Sequence, residues 1–431
     1  MSDFPGEWAS VSLGSLEDRD LLSIRNGFSC GDHSSDPSGL AHLRPFNVTE
    51  DCRLSFGQMK FIPVRTDIDE FTLRSGDVLY NNTNSEELVG KCAYWPGKPG
   101  NFVLSNHMTI LRLAPESGLD PRFLTYYLFW FWRSGEARTL CRRHVNQASI
   151  GLERLRQIDA PLPPVEAQEQ IVRVLSNLQS SFEVELTTCD KLAALKSATM
   201  AKLFREGLRG EPLKQTEIGE IPESWEVARL GDIARIGNGS TPKRTNEAYW
   251  KDGHIPWITS TKIHDVVITG ADEFVTEDAL RECHLPMVPR KSLVVAITGQ
   301  GKTLGNVALL EIDTCINQHL AYVQFQNPSA RPEFYLFFLQ SLYPFFRQVS
   351  SAGGSTKGAL TCGLIANLKV PFPSREEQQQ IAELLLLLTR RHMIATKRSE
   401  ALSTLFGAAL TQLMTGGIRI KDLDVAEVSH A

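Results

Sequence analysis

The most constraining feature of this chain is that its pattern occurs twice. The segment "PLPPVEAQEQIVRVL", which begins at Pro161, matches "PFPSREEQQQIAELL", which begins at Pro371, and the match runs without a gap to "LFREGLRG" and "LMTGGIRI". A repeat at a fixed offset indicates two copies of one structural unit. The residues that recur 210 positions later are Pro161, Pro163, Glu166, Gln168, Gln170, Ile171, Leu175, Leu178, Leu192, Leu203, Gly207 and Arg209.

A second pair of matching segments lies upstream of the first pair. "FPGEWASVSLG" (4–14) matches "IPESWEVARLG" (221–231), so that the same proline, tryptophan and Leu-Gly recur in order. Two blocks in the same order predict a variable domain followed by a shared helical segment, each present twice. We therefore divide the chain into a first variable domain (1–160), a central helix (161–210), a second variable domain (211–370), a C-terminal helix (371–415) and a tail (416–431).

The shared segments have the periodicity of long helices. Alternate steps of three and four residues from Ile171 to Leu203, and from Ile381 to Leu413, meet mostly apolar side chains. Such a repeat is typical of a coiled-coil seam. The alternative is that each helix packs only on its own domain. Prolines precede both segments, as is usual in the turn before a helix, and Gly207 and Gly416–Gly417 are candidate helix stops. A helix of roughly 40 residues is about 60 Å long.

The variable domains are predicted to mix strands and helices. "RSGDVLYNN", "HMTILRL", "RKSLVVAIT" and "LAYVQF" are apolar runs of strand length. Two aromatic-rich segments, 120–135 and 331–348, occupy matching places and are predicted to be helices whose rings fill a core rather than stack on bases. The expected fold class is α+β, with two mixed α/β domains joined by two long antiparallel helices in an internal pseudo-twofold repeat.

Composition places few limits on function. The eight cysteines include no Cys-x-x-Cys pair, which favours a reducing cytoplasm over a zinc ribbon or a thioredoxin-type site. No apolar run reaches the roughly 18 residues of a membrane span, so no membrane partner is expected. The net charge of −5, from 45 basic and 50 acidic residues, argues only weakly against nucleic-acid binding, because the electrostatic field at a binding face is local.

The stretch "AITGQGKTLGN" resembles a loose P-loop because Gly-Lys-Thr stands at 301–303, with Ala296 five residues earlier. A P-loop needs a strand before it and a helix after it. Alignment with "YNNTNSEELVGK" of the first copy instead predicts a polar loop between two strands. Lys302 is then a candidate DNA contact, and an ATPase would depend on this lysine alone.

Other catalytic patterns are missing from the sequence. There is no Asn/Asp-Pro-Pro-aromatic tetrapeptide of an amino-methyltransferase, no Gly-x-Gly-x-x-Gly and no His-Glu-x-x-His. The histidines are not spaced as metal ligands, and His107 and His319, which both precede a strand, are expected to be structural. The pattern therefore predicts a binding protein without catalytic or metal-ligating residues.

Polar loops supply side chains that suit DNA. Arginine and lysine can bind guanine or phosphate, and asparagine and glutamine can read adenine. The alternative for each residue is an ordinary solvated loop. The candidate DNA contacts are Arg138, Arg142, Arg143, Asn146, Gln147, Lys243, Arg244, Lys262, Lys302, Ser355, Thr356 and Lys357.

This arrangement resembles the specificity subunits of type I restriction-modification systems over nearly the whole chain. The motifs that carry the resemblance are "FPGEW…LG" with "IPESW…LG", "PLPPVEAQEQI" with "PFPSREEQQQI", and "GDVLYNNTNSEELVGK". The second copy departs from the pattern, since "PSREEQ" replaces a Pro-Pro start and "KSLVVAITGQGKTLGN" is a looser strand pair.

The resemblance implies that each variable domain is a target recognition domain that reads one half of a split, asymmetric sequence in double-stranded DNA. It also implies that the two helices form an antiparallel spacer and dock two modification (methyltransferase) subunits, while restriction subunits supply the motor and nuclease. S-adenosylmethionine, ATP and Mg²⁺ are then expected in those partners, with no cofactor in this non-catalytic chain. The alternative is an orphan DNA-binding or inhibitory subunit that pairs with a methyltransferase without cleavage.

Overall fold

A computed structural model describes residues 8–64, 69–98, 101–299, 302–352 and 359–418. The chain divides into two compact units. Unit 1 comprises Met1–Glu185 and Arg398–Ala431, and unit 2 comprises Leu186–Lys397. Each unit therefore contains one variable domain and part of each long helix.

Unit 1 is built around a four-stranded antiparallel sheet in the order β2-β9-β5-β7. A three-stranded sheet, β4-β3-β8, a small sheet, β10-β11-β6, and the pair β1-β12 complete it. Its strands are β1 (Ala9–Ser12), β2 (Leu22–Asn26), β3 (Leu40–Leu43), β4 (Lys60–Ile62), β5 (Val78–Asn81), β6 (Thr83–Asn84), β7 (Cys92–Tyr94), β8 (Phe102–Leu104), β9 (Met108–Leu113), β10 (Arg142–Arg143), β11 (Ala148–Ser149) and β12 (Asp159–Leu162). Its short helices are α1 (Leu13–Glu17), α2 (Pro121–Arg133), α3 (Glu136–Thr139) and α4 (Leu152–Arg156), and the long helix α5 (Val165–Glu206) follows.

Unit 2 repeats this plan. Its strands are β13 (Leu213–Thr216), β14 (Gly219–Pro222), β15 (Glu226–Arg229), β16 (Ala234–Asn238), β17 (Ile255–Ile258), β18 (Val267–Ile268), β19 (Glu273–Val275), β20 (Leu293–Ala296), β21 (Val307–Leu310), β22 (Cys315–Ile316), β23 (Leu320–Phe325) and β24 (Lys369–Phe372). Its helices are α6 (Leu230–Ile233), α7 (Glu277–Glu282), α8 (Pro332–Ser341), α9 (Tyr343–Ala352), α10 (Cys362–Ala366) and the second long helix, α11 (Arg375–Met414). The central sheet has the order β16-β23-β20-β21-β18, so its first four strands correspond to β2-β9-β5-β7.

The upstream motif and the proline motif meet in both copies. β1 pairs with β12, and β15 pairs with β24, each as an antiparallel two-stranded sheet. The first proline of each motif, Pro161 or Pro371, therefore lies in a strand and not in the turn that the sequence predicted. Proline is tolerated there because both strands of such a pair are edges. The helices begin only at Val165 and Arg375.

The coiled-coil prediction is confirmed within each unit. Every seam position from Ile171 to Leu203 and from Ile381 to Leu413 is buried or partly buried. In unit 1 the start of α5 shares a core with the end of α11, and Glu185 pairs with Arg398 at 3.7 Å. In unit 2 the end of α5 shares a core with the start of α11. In each unit, the segments of α5 and α11 that share a core therefore run antiparallel to each other. Gly207 (φ +63°) and Gly416 (φ +70°) follow the helix ends in the left-handed conformation that glycine favours.

The aromatic-rich segments form helices whose rings fill the cores, as predicted. In α2 every residue from Phe123 to Trp130 is buried, and in α8 every residue from Phe334 to Leu339 is buried. The rings pack on the long helices: Phe406 of α11 lies 6.0 Å from Phe129 between ring centroids, and Phe204 of α5 lies 5.5 Å from Phe334. The cores of the two units thus depend on the same helix-on-helix packing.

A buried glutamine of the shared motif connects each long helix to its aromatic helix. The side-chain oxygen of Gln168 accepts a hydrogen bond from the Asp120 N–H (2.7 Å), and its amide donates to the Pro163 carbonyl (2.9 Å). Gln378 makes the equivalent bonds with the Arg331 N–H (2.8 Å) and the Pro373 carbonyl (2.9 Å). Both side chains are fully buried, so the repeat preserves a polar joint as well as an apolar seam.

The Gly-Lys-Thr stretch lies between β20 and β21, which pair antiparallel from Leu293–Leu309 to Val295–Val307. The predicted strand-loop-strand arrangement is confirmed, and the following element is a strand where a P-loop requires a helix. Lys302 is exposed, and its carbonyl accepts a hydrogen bond from the Tyr343 hydroxyl (3.2 Å). Within the described part of the chain, no helix is both long and apolar enough to span a bilayer.

Candidate nucleic-acid interface

One end of each central sheet gathers polar side chains from equivalent strands. In unit 1 these are Asn26 at the end of β2, Asn82 just after β5, and His107 just before β9. In unit 2, Asn238 ends β16, Thr298 follows β20 and His319 precedes β23. The backbones also match, since the carbonyl of His107 accepts from the Asn82 N–H (3.1 Å) and that of His319 accepts from the Ile297 N–H (3.0 Å).

In unit 1 this end is held by an amide network around the buried side chains of Asn82 and Thr109. The Asn82 side-chain nitrogen donates to the oxygen of Asn26 (3.1 Å), to the carbonyl of Asn106 (3.2 Å) and to the hydroxyl of Thr109 (3.0 Å). The Thr109 hydroxyl in turn donates to Asn26 (2.7 Å). A buried amide that is satisfied in this way, as Asn82 is, fixes the backbone around it. The network therefore sets the position of the Asn82–Asn84 segment that leaves the sheet.

A β-hairpin is attached to that segment. β11 pairs with β6 through Ser149–Thr83 and Ala148–Asn84, and the Ile150 N–H donates to the Asn82 carbonyl (2.8 Å). β10 pairs with β11, and the His144 N–H donates to the Gln147 carbonyl (2.7 Å), which leaves Val145 and Asn146 at the tip. The hairpin is thus anchored at its base, while all residues from 142 to 147 are exposed.

The structure brings five of the predicted DNA contacts together on or beside this hairpin. Arg142 and Arg143 form β10, and Asn146 and Gln147 lie at the turn. Arg138 is exposed on α3, which precedes the hairpin. Arg143 forms an ion pair with Glu86 (2.5 Å) at the surface. A salt bridge so exposed contributes little to stability and is readily exchanged for a phosphate.

The corresponding segment of unit 2 joins its sheet in the same way. The Leu360 N–H donates to the Ile297 carbonyl (2.8 Å), and Thr298 forms a β-bridge with Ala359. These contacts reproduce those of Ile150 and Ser149 in unit 1, so the described residues that follow the two predicted polar loops join their sheets at equivalent places. Ser355, Thr356 and Lys357, the predicted contacts of this loop, lie outside the described residues.

The other predicted contacts of unit 2 differ in how tightly they are held. The guanidinium of Arg244 stacks over Trp250, 4.0 Å from the ring centroid, and forms two hydrogen bonds with Glu273, which raise the pKa of Arg244. Lys262 is paired with Asp272 (3.0 Å), and this hydrogen bond raises the pKa of Lys262. Lys243 and Lys302 are exposed. Arg244 and Lys262 would have to leave or share their carboxylates to bind phosphate.

Thr241, Thr298 and Gln318, which lie at this end of unit 2, are not among the DNA contacts predicted from the sequence. The Thr298 hydroxyl is hydrogen-bonded to the His319 ring, and the Thr241 hydroxyl to the side-chain oxygen of Gln318. The shared position of His107 and His319 before a strand is the available sequence signal for this end of the sheet, and the structural role expected for both histidines stays a prediction. Among the described residues, no group of three or more His, Cys, Asp or Glu side chains could hold a metal ion.

Comparisons with known proteins agree with this architecture. The sequence pattern of the type I restriction modification DNA specificity domain matches residues 65–197 and 222–403. A protein of Methanocaldococcus jannaschii named as a type I restriction enzyme MjaX specificity subunit is 27% identical over 429 residues, which cover 98% of this chain and 96% of that protein.

Solved structures show the same fold. The crystal structure of the type I restriction-modification S subunit from M. genitalium superposes with a TM-score of 0.63 at 17% identity, covering 94% of this chain and 96% of the other. A chain from a study of complex assembly and conformational transition of the type I R-M system gives a TM-score of 0.52 at 16% identity, covering 96% and 99%. On the family match over both halves, and on the repeated fold, the chain belongs to the family of type I restriction-modification DNA specificity subunits.

Proposed function

We propose that the chain gives a type I restriction-modification complex its DNA target, with each unit reading one half of a split, asymmetric sequence. The observation that carries this proposal is the exposed hairpin at the polar end of the central sheet in unit 1, with a segment joined at the equivalent place in unit 2. Because each unit has an equivalent surface, the chain provides two sites that can each read DNA.

The side chains at the two ends explain why the halves of the target should differ. Unit 1 presents arginines and amides on a hairpin, whereas unit 2 presents Thr241, Gln318 and His319 at the equivalent end of its sheet. Because base identity is read by the donors and acceptors of side chains in the groove, unlike side chains select unlike sequences. The shared fold supplies the position, and the loops supply the specificity.

The long helices are proposed to dock the methyltransferase subunits, with restriction subunits joining the complex. On α11, Leu384, Leu387 and Ile394 are 39%, 50% and 52% exposed and recur at helical spacing. An apolar stripe on a helix is typical of an interface with another protein. One solved relative was studied for assembly of the type I R-M system, which is consistent with this role. S-adenosylmethionine, ATP and Mg²⁺ would then act in the partner subunits.

Exchanging residues 1–160 for the corresponding domain of another family member tests the two-reader proposal. The methylated sequence, mapped across a genome that expresses the chain with its methyltransferase, should change in one half only. A change in both halves, or no methylation that depends on this chain, contradicts the proposal. Adding the restriction subunit to the same complex separates a cleaving assembly from an orphan methylation subunit, because only the former cuts unmethylated DNA.

The docking proposal can be tested on α11. Ile394→Glu places a charge in the exposed apolar stripe and should weaken co-purification of the methyltransferase by at least tenfold, since burying an unpaired charge is costly. Thr404→Glu, at another exposed position of α11, is the matched control and should leave the complex intact. Equal behaviour of the two variants would exclude the stripe as the interface.

A further inference from the structure

The tip of the unit 1 hairpin carries an apolar side chain that local structure does not explain. Val145 is 100% exposed, although valine is among the residues most often buried. It occupies one of the two loop positions of a tight turn, where glycine, asparagine, aspartate and proline are the residues that turn geometry favours. Neither core packing nor turn formation therefore accounts for a valine here.

The surroundings of Val145 are those of a DNA-reading ribbon. Arg142 and Arg143 precede it on β10, and the exposed amides of Asn146 and Gln147 follow it. The base of the hairpin is fixed by Ala148 and Ile150, which are buried in the unit 1 core. A two-stranded ribbon of this kind fits the major groove, which is about 12 Å wide. Its tip is then the part that reaches the base edges, while the basic strand lies near phosphates.

We propose that Val145 is a specificity-determining residue that contacts the C5 methyl group of a thymine in the half-site read by unit 1. This inference rests on the proposed function. That methyl is the apolar group that the major groove of unmodified DNA presents at base edges, and the apolar side chain of valine can pack against it. Asn146 or Gln147 beside it can form paired hydrogen bonds with adenine, in which N6 donates and N7 accepts. The hairpin turn thus contacts both bases of an A·T pair in the major groove.

Replacement of thymine by deoxyuridine tests this contact, because uracil lacks only the methyl group. The full chain, bound to its methyltransferase, is titrated with duplexes that carry the mapped target, in which each thymine of the unit 1 half-site is replaced in turn. For the wild-type chain, one replacement should weaken binding roughly fourfold, the value for loss of one buried methyl group. For Val145→Ala the same replacement should have no effect, and binding to the thymine duplex should already be weaker by the same factor.

The matched control is Val64→Ala, which shortens another exposed valine of unit 1 (69% exposed) and should keep the full thymine dependence. Equal weakening of the thymine and uracil duplexes by Val145→Ala would overturn the proposal in favour of a wedge between base pairs, and no weakening of either would remove Val145 from the interface. A half-site without an A·T pair overturns it as well. Absence of sequence-specific binding by every variant, wild type included, would instead contradict the proposed function.

Discussion

Beside Gln378 of the glutamine joint, Glu377 is a buried residue that the first copy of the repeat lacks. Its carboxylate is only 1% exposed and accepts hydrogen bonds from the Leu208 N–H (2.9 Å) and the Trp225 indole N–H (3.1 Å). The first copy has Ala167 at this place. Because Glu377→Ala leaves two donors without their acceptor, we expect it to lower the free energy of unfolding by about 3 kcal/mol, measured by urea denaturation.

The neighbouring residue provides the control for Glu377. Glu376 is exposed in the first turn of the same helix, so Glu376→Ala removes an equal charge without uncovering a buried donor. Its effect should stay within about 0.5 kcal/mol, the range of most surface substitutions. Glu377→Gln keeps one acceptor oxygen and should fall between the two. A loss as large for Glu376→Ala would show that helix-terminal charge, and not the buried hydrogen bonds, stabilises this region.

At the scale of elements, the paired glutamines allow one test in two places. Gln168→Leu removes the acceptor of the Asp120 N–H, and Gln378→Leu removes that of the Arg331 N–H. Each change should cost about 2 kcal/mol. It should also speed amide hydrogen exchange at the start of the aromatic helix in its own unit, α2 or α8. Exposed Gln170 and Gln380, two residues further along, are matched controls. Faster exchange in the control variants would mean that the glutamine joint is not what holds these helices.

Periodicity and the internal repeat predict the elements of this fold well. The seam from Ile171 to Leu203 and the loop between β20 and β21 follow from spacing and alignment alone, because they depend on residues close in sequence. The hydrogen-bond and ion-pair partners of the site residues cannot be predicted in this way, because they lie far apart in the sequence. Asn82 bonds with Asn26, 56 residues away, and Arg244 is held by Glu273, 29 residues away. Sequence composition identifies such side chains as polar, but only the folded chain brings their partners to them.

At the scale of the whole molecule, one chain carries two variable domains and two long helices, and we propose above that each variable domain reads one half of the target. α5 has 42 residues and α11 has 40, so each is about 60 Å long, which exceeds one turn of DNA at about 34 Å. The loops that carry the candidate DNA contacts can diverge in sequence, since they lie outside the seam. The seam residues, by contrast, pack on each other within each unit, and we propose that the length of the helices sets the spacing between the half-sites.

Insertion of one heptad into each long helix tests that proposed role of length. The insertions are placed beside Cys189 and Thr396, whose side chains lie 3.7 Å apart, so that both seams keep their register. Seven residues add about 10 Å of helix, close to the rise of three base pairs. The methylated target should therefore keep both half-sites and gain about three base pairs between them. The same insertion in α5 alone would place the two seams out of register and should abolish methylation, whereas unchanged spacing with both insertions would show that the helices do not measure the gap.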